Sequence, residues 1–296
     1  MQLKSLAIEG YNSGLHLLIL AGVHGDEFEP MAAVRQLAKV LLPEDVKGRV
    51  TLVPVVNEDA FLNGARRASD GFDLARTCPG KVDGSYTERV AFAVSELIKS
   101  ADYLIDLHTG GNAMSLFPLA GYTLHPDTKV LSVQRRMAKA FNLPLVWGSD
   151  PNLDGRTLSV ARDHNVPAIY AEWMGGGGCQ AQGVQDYVDG CLNVMSELDM
   201  IQREQPESRI EKIIEEDAAG AGILTGNYHS PIDGLFESIV SLWDDVEEGS
   251  VIGTVSDVRG ENIQQIQSTQ SGKVICLRVF ARVLKGDSLC HILDKI

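Results

Sequence analysis

Two residues with metal-binding side chains stand three positions apart at the end of an apolar run. The run LHLLIL (15–20) leads into AGVHGDEFEP (21–30), which contains His24 and Glu27. This stretch can be a polar turn that caps the following helix. It can also be half of a zinc site, because imidazole nitrogens and carboxylate oxygens are common zinc ligands. Two ligands do not complete such a site, so the rest of the chain has to supply a third.

The third ligand is expected at the end of a second apolar run, where DLHTGG carries His108. Strand ends in an α/β sheet meet at one edge. There His24, Glu27 and His108 would form a His₂Glu set that leaves one coordination position open, as catalytic zinc sites require. We therefore predict one Zn²⁺ per chain, bound by these three residues. A histidine ligand also needs an acceptor for its second ring nitrogen, and Asp26 or Asp106 can serve.

A third apolar run, PAIYAE (167–172), ends in Glu172. An unpaired carboxylate in such a setting is costly to desolvate, which favours its neutral form. A glutamate of this kind suits a general base that accepts a proton from water. The alternative is a structural carboxylate paired with an arginine, and the residues alone leave both open.

The elements that would position these residues form two regions. Up to about residue 205, apolar runs alternate with helical patterns, which predicts an α/β domain with a mixed, mostly parallel central sheet and helices on both faces. We predict a catalytic domain over 1–205, and a linker with a small all-β barrel or sandwich over 206–296. In the second region, VEEGSVIGTVSD (246–257) and VLKGDSLCHILD (283–294) share one frame, typical of two similar strand–turn–strand halves.

The loop between the first two predicted site regions, NEDAFLNGARRASDGFDLARTCPG (57–80), carries a further set of motifs. Taken in order, HGDE, NxxAFLN, DGxDLxRxxPG, DLHTGG and AEWMG resemble the zinc-dependent succinylglutamate desuccinylase/aspartoacylase family. The resemblance covers roughly residues 15–205. It implies the fold and catalytic layout of zinc carboxypeptidases, with the region after it similar to that family's C-terminal extension.

The resemblance implies roles for individual residues. Glu172 would act as general base and then as the acid that protonates the leaving amine, and Arg66 would polarise the scissile carbonyl. Arg76 would hold a substrate carboxylate through its planar guanidinium. We also expect Asn57 and Asn63, from the same loop, to contact the substrate.

One position departs from the family pattern in a way that bears on the substrate. The family's DLNR is DLAR here, so Ala75 stands where an asparagine helps to hold the substrate carboxylate. The loss of one or two hydrogen bonds costs on the order of 1–3 kcal/mol in recognition. It would not abolish hydrolysis, so a different acyl-amino acid, or a substrate that lacks one carboxylate, is expected.

The predicted function is therefore a zinc-dependent amidohydrolase that cleaves the acyl amide of an N-acylated amino acid or a related small molecule. A zinc carboxypeptidase acting on short peptides is the nearest alternative. A catalytically silent protein that binds a metal or a carboxylate is the alternative from another class.

Composition limits the partners and the compartment. A net charge of −14 argues against a general nucleic-acid or anionic-membrane surface. No stretch approaches the roughly 20 apolar residues that span a bilayer. The five cysteines include no CxxC motif and fit reduced thiols in a cytoplasmic protein. We expect a small-molecule substrate as the partner, and assembly into a homo-oligomer stays open.

Overall fold

The computed structural model describes residues 2–224 and 228–294 of the 296-residue chain. Its α helices are α1 (Phe28–Val40), α2 (Glu58–Leu62), α3 (Tyr86–Lys99), α4 (Thr128–Phe141), α5 (Thr157–Asp163) and α6 (Ala181–Glu197). Its strands are β1 (Leu6–Glu9), β2 (Asn12–Ala21), β3 (Lys47–Val53), β4 (Tyr103–His108), β5 (Met114–Leu116), β6 (Leu119–Thr123), β7 (Leu145–Ser149), β8 (Ala168–Glu172), β9 (Lys212–Glu215), β10 (Tyr228–His229), β11 (Gly234–Ser238), β12 (Asp245–Val246), β13 (Val251–Ser256), β14 (Ile263–Gln267), β15 (Gly272–Arg278), β16 (Arg282–Val283) and β17 (Ser288–Asp294). No helix within these ranges is long and apolar enough to cross a membrane.

Eight strands form the central sheet, in the order β1-β3-β2-β4-β8-β6-β7-β9. The four strands β3, β2, β4 and β8 run parallel, whereas β6 is antiparallel to β8 and β1 is antiparallel to β3. Helices α1, α4 and α6 supply the core on one face of the sheet, and α3 and α5 supply it on the other. The predicted mixed, mostly parallel sheet with helices on both faces is confirmed.

The central strands are buried because their sequence is apolar on both faces. In β2, Leu17, Leu18, Ile19 and Leu20 are all fully buried. A continuous apolar run of this kind is expected where helices cover both faces of a parallel sheet. The polar residues of this region therefore lie at or directly after the carboxyl ends of the strands, outside the apolar core.

Two antiparallel sheets make up the C-terminal region, which we call the β domain (228–294). One sheet contains β10, β17, β15 and β12, and the other contains β14, β13, β11 and β16. Apolar residues of both sheets form a single core between them. Each half of the sequence repeat makes a short strand, a turn and a longer strand. The turns contain Gly249 and Gly286 at φ +85° and +90°, a conformation that favours glycine.

The β domain is joined to the central domain through strands and stacked rings. Strand β5, which follows β4, pairs with β15 of the β domain. The rings of Phe117 and Trp243 stack with their centroids 3.9 Å apart and their planes 5° from parallel. The predicted boundary after residue 205 stays a prediction. Strand β9, which comes after that boundary, pairs with β7 at the edge of the central sheet.

Candidate active site

Three neighbouring parallel strands deliver the predicted metal ligands and the predicted base to one edge of the central sheet. His24 and Glu27 lie in the turn between β2 and α1, and Glu27 is the residue that precedes the first turn of the helix. His108 and Glu172 are the last residues of β4 and β8 and are paired directly across those strands. The close approach of the turn requires Gly25, because a Cβ atom there would lie 2.0 Å from the Ala60 backbone.

The three predicted ligands converge on one point. Nδ1 of His24 lies 2.6 Å from one carboxylate oxygen of Glu27, and Nδ1 of His108 lies 3.1 Å from the other. A set of ligand atoms, one from each residue, lies within 4.8 Å of one another, and all three side chains are buried. A buried carboxylate between two imidazole nitrogens is the donor set that suits Zn²⁺. The residues present therefore fit the predicted ion.

The outer nitrogen of each histidine faces an aspartate. Nε2 of His108 lies 3.1 Å from Oδ2 of Asp106, which also accepts a hydrogen bond from the Thr157 hydroxyl. Nε2 of His24 lies 3.3 Å from Oδ1 of Asp73. Such carboxylates fix the ring orientation and the tautomer of metal-binding histidines. The expected role of Asp106 agrees with this geometry.

Asp73 takes the place that Asp26 was expected to fill. Asp26 accepts a hydrogen bond from the backbone N–H of Asn112 at 2.9 Å, so it holds the loop after β4. Asp73 lies between His24 and Arg66, whose Nε donates to it at 3.0 Å. Burial works against the charge of Asp73, but hydrogen bonds and the charges of His24 and Arg66 hold its pKa far below the ordinary value. Its position within DGFDL, three residues before Arg76, was the only signal in the sequence.

Glu172 is half-buried, and its Oε2 atom is fully buried without a hydrogen-bond partner among the described residues. Burial raises the pKa of this carboxyl to about 8, with His108 opposing the shift and Glu27 adding to it. A carboxyl group in such a setting can exchange a proton near neutral pH. The structural alternative, a carboxylate paired with an arginine, is not what the geometry shows, because no ion pair joins Glu172 to an arginine in the described chain.

A cavity of about 140 Å³ opens at this edge of the sheet, lined by all three predicted ligands together with Glu172, Arg66 and Arg76. The cavity therefore has room for a small molecule and not only for single waters.

Two guanidinium groups and one hydroxyl line the cavity without carboxylate partners among the described residues. Arg76 donates to the Ala75 carbonyl at 2.7 Å, and Arg156 has no ion pair. Burial, together with Arg76, lowers the pKa of Arg156 to about 10. The Tyr170 hydroxyl is buried without a hydrogen-bond partner. We call Arg76, Arg156 and Tyr170 the cationic end of the cavity; its composition favours an anionic group of a ligand.

Arg156 and Tyr170 were missed in the sequence. Arg156 precedes the first turn of α5 in a loop without a recognisable motif, so nothing there indicated a role. In the sequence, Tyr170 cannot be distinguished from the other apolar positions of a buried strand. Its ring is accommodated by Gly121 on the paired strand β6, where a Cβ atom would lie 2.2 Å from the ring.

Asn57 and Asn63 are not brought into the cavity. The Asn57 side chain caps α2 by accepting a hydrogen bond from the Ala60 N–H at 3.2 Å. Asn63 ends the same helix, is exposed and donates to Asp59 at 3.4 Å. Neither is among the residues that line the cavity. Ala75 does line it, so the departure from the family pattern lies where a ligand would be.

The sequence-family model of the succinylglutamate desuccinylase/aspartoacylase catalytic domain matches residues 13–198. The chain belongs to this family. It is 30% identical over 292 residues to the N-alpha-acetyl-L-2,4-diaminobutyric acid deacetylase of Halomonas elongata, and the match covers 94% of this chain and 82% of that protein. The members of this family, including this relative, are acyl amidohydrolases. The relationship therefore supports amide hydrolysis as the class of reaction.

Two solved structures of the family have the same fold. A succinylglutamate desuccinylase from Silicibacter sp. TM1040 is 26% identical with a TM-score of 0.87, over 97% of this chain and 87% of that one. The product-bound ectoine utilization protein EutE (DoeB) from Ruegeria pomeroyi is 25% identical with a TM-score of 0.88, over 98% and 88% of the two chains. In both comparisons, the match extends through the β domain as well as the central domain.

Proposed function

We propose that this family member is a zinc-dependent amidohydrolase that removes the acyl group from an N-acylated amino acid. The observation that carries the proposal is the position of Glu172. Its unpartnered carboxylate oxygen lies at the same cavity as the His24, Glu27 and His108 side chains, which together fit a zinc ion. Metal-dependent hydrolysis requires a metal site with an open coordination position. It also requires a nearby base whose carboxylate is not already paired with another protein group.

A zinc ion held by His24, Glu27 and His108 would lower the pKa of water towards neutrality and would polarise the acyl carbonyl. Glu172 accepts the proton of the attacking water at Oε2 and later donates it to the amine nitrogen that leaves. Both transfers are feasible near neutral pH because the pKa of Glu172 is raised to about 8 by burial.

Arg66 and the cationic end act on the substrate itself. The Arg66 guanidinium, held by Asp73, lines the cavity and can stabilise the negative charge that develops on the acyl oxygen. Arg76 and Arg156 are free to bind the carboxylate of the amino acid, to which the Tyr170 hydroxyl can donate. The deacetylase from Halomonas elongata suggests acetyl as the acyl group.

The thiols support the expected reducing compartment. All five cysteines are free, and all but the exposed Cys179 are buried. A cytoplasmic location follows as part of the proposal, because thiols stay reduced there.

The test is hydrolysis of N-acetyl amino acids and of dipeptides by the zinc-loaded protein, measured as free amine with metal content determined in the same samples. We expect turnover of an acyl-amino acid by the wild type. The Glu172→Gln variant should keep its zinc and lose turnover by a factor of roughly 10³ or more.

Other outcomes select the alternatives. Preferential cleavage of dipeptides would indicate a carboxypeptidase. Ligand binding that is equal in the wild type and Glu172→Gln, with turnover in neither, would indicate a binding protein and would overturn the proposed function.

A further inference from the structure

The cavity lining contains two chemically different groups of residues, and Glu172 lines the same cavity. Tyr170 and Glu172 are two positions apart on β8 and therefore lie on the same face of the sheet. Arg156 opposes the rise that burial causes in the pKa of Tyr170, and Arg76 adds to the fall that burial causes in the pKa of Arg156. Arg156 therefore lies within electrostatic range of both other groups.

The other group is apolar, and part of it belongs to the β domain. It consists of Met114 and Leu116 of β5, of Leu224, and of Cys276 of β15. We call these four residues the apolar end. Cys276 is fully buried and is paired directly with Leu116. Burial raises the pKa of its thiol well above the ordinary value, with Cys290 and Glu172 adding to the rise, so the thiol is uncharged. Cys276 and Glu172 line the same cavity.

Backbone pairing ties the apolar end to the strand that carries Glu172. The Leu116 N–H donates to the Met174 carbonyl at 3.2 Å, and the Met174 N–H donates back at 3.0 Å. Met174 follows Glu172 by two residues. Since β5 also pairs with β15, the base and the Cys276 wall are held in one continuous set of backbone hydrogen bonds.

This wall is fixed in place. The stacked rings of Phe117 and Trp243 lie beside it, and the Phe117 N–H donates to the Ile275 carbonyl at 2.8 Å. Gly222, two residues before Leu224, lies close to the Ser149 side chain, where a Cβ atom on Gly222 would be 2.6 Å from the Cβ of Ser149. A wall built from paired strands and stacked rings cannot adapt its volume to a larger group at low cost.

We propose that the apolar end is the acyl subsite and that Cys276 determines its size, which restricts the acyl group to a short, uncharged one such as acetyl. The inference rests on the proposed function and names the substrate class of the same site. A substrate can place one anionic end at the guanidinium groups. A second carboxylate, as in a succinyl group, would then face the apolar end without a partner and would be desolvated.

The substrate series tests the assignment of the two ends. Zinc-loaded wild type is assayed with alanine carrying an acetyl, a butanoyl or a succinyl group, and with N-succinyl-ethylamine, which lacks the α-carboxylate. We expect kcat/KM for N-acetyl-alanine to exceed that for N-succinyl-alanine roughly 100-fold or more. Faster cleavage of N-succinyl-ethylamine than of N-acetyl-alanine would reverse the two ends and overturn the assignment.

The variants test the role of Cys276. Cys276→Ala should raise the ratio of kcat/KM for butanoyl- over acetyl-alanine about tenfold, because one atom at a fixed apolar wall is removed. Cys276→Leu should lower kcat/KM for the acetyl substrate by about tenfold or more. Leu116→Val enlarges the same end from the paired strand and should shift the ratio in the direction of Cys276→Ala.

Cys290→Ala is the matched control. Cys290 is a buried thiol in the core of the β domain, on strand β17 beside β15, and does not line the cavity. Its loss should lower Tm without changing the acyl ratio by more than about twofold. Equal ratios in Cys276→Ala and Cys290→Ala would overturn the role of Cys276.

A binding measurement separates failure of this inference from failure of the proposed function. Calorimetry with zinc-loaded Glu172→Gln should give tighter binding of N-acetyl-alanine than of N-succinyl-alanine. Turnover in the wild type without this preference overturns the acyl subsite alone. If the wild type turns over none of the substrates, the proposed function fails. The subsite then stands only if the binding preference is present and is altered by Cys276→Ala.

Discussion

His108 and Glu172 are direct partners across the parallel strands β4 and β8. This pairing places a predicted metal ligand and the predicted base at the same level of the sheet edge. Two other carboxylates contact the His108 ring. Glu27 faces its Nδ1 atom and Asp106 faces its Nε2 atom. Within residues 2–224 and 228–294, Glu172 is thus left without a hydrogen-bond partner for Oε2, which is what the proposed role in proton transfer requires.

Zinc should stabilise the folded protein through its three ligands. A ligand that binds only the folded state at 100 times its Kd adds about 2.7 kcal/mol to the free energy of unfolding. We expect Tm to rise with added zinc in the wild type and to be insensitive to zinc in His108→Asn. His125→Asn is the control, because His125 is also buried but hydrogen-bonds Arg162 and Asp127 away from the ligand set. Loss of the zinc effect in this control would contradict the assigned ligands.

Asp73→Asn should weaken both metal binding and catalysis. The substitution removes the carboxylate that orients His24 and Arg66, so we expect a loss of about 10–100-fold in zinc affinity, measured by competition with a chelator. Asp70→Asn is the matched control from the same loop. Asp70 accepts hydrogen bonds from Thr87 at the start of α3, so its variant should change Tm while leaving zinc affinity unaltered.

Arg156→Gln should raise KM more than it lowers kcat. The guanidinium is expected to bind the carboxylate of the substrate and not the reacting carbonyl, so its removal should raise KM about tenfold or more. The same variant should change KM little for the corresponding N-acyl amino acid amide, which lacks that carboxylate. Arg67→Gln, at an exposed position that does not line the cavity, is the control for the lost charge. Equal effects on the acid and the amide would refute the carboxylate contact.

The free energy of unfolding should fall as the pH is lowered from about 6.5 to about 4 because of His291. Burial lowers the pKa of this imidazole from 6.5 to about 4, so the unfolded chain binds more protons than the folded one within that window. The stabilisation is present above pH 6.5 and is lost as the pH falls through the window, by an amount on the order of 3 kcal/mol.

Denaturant unfolding at several pH values measures this effect. His291→Phe should flatten the dependence between pH 4 and 6.5. The exposed His229 in the same domain provides the control, and His229→Phe should leave the slope as it is in the wild type. A slope that His291→Phe does not change would assign the acid sensitivity to other groups.

From the sequence alone we predicted the metal ligands and the base, which stay predictions, and the architecture that presents them, which is confirmed. His24, Glu27, His108 and Glu172 each come at or after the end of an apolar run that predicts a buried strand. The carboxyl ends of parallel strands meet at one edge, so their proximity follows from pattern and topology.

Only the tertiary structure decided which residues surround that centre. Asp73, Arg156 and Cys276 come from two loops and from the β domain, and their approach depends on contacts between residues far apart in the chain. The antiparallel strand β6, which makes room for Tyr170, was not predicted either, because LAGYT becomes a strand through its pairing with β7 and β8. The local sequence pattern indicates which side chains are buried and where an element begins or ends. It does not indicate which side chains from distant parts of the chain come into contact. Those contacts form the cavity and so determine which ligand it can bind.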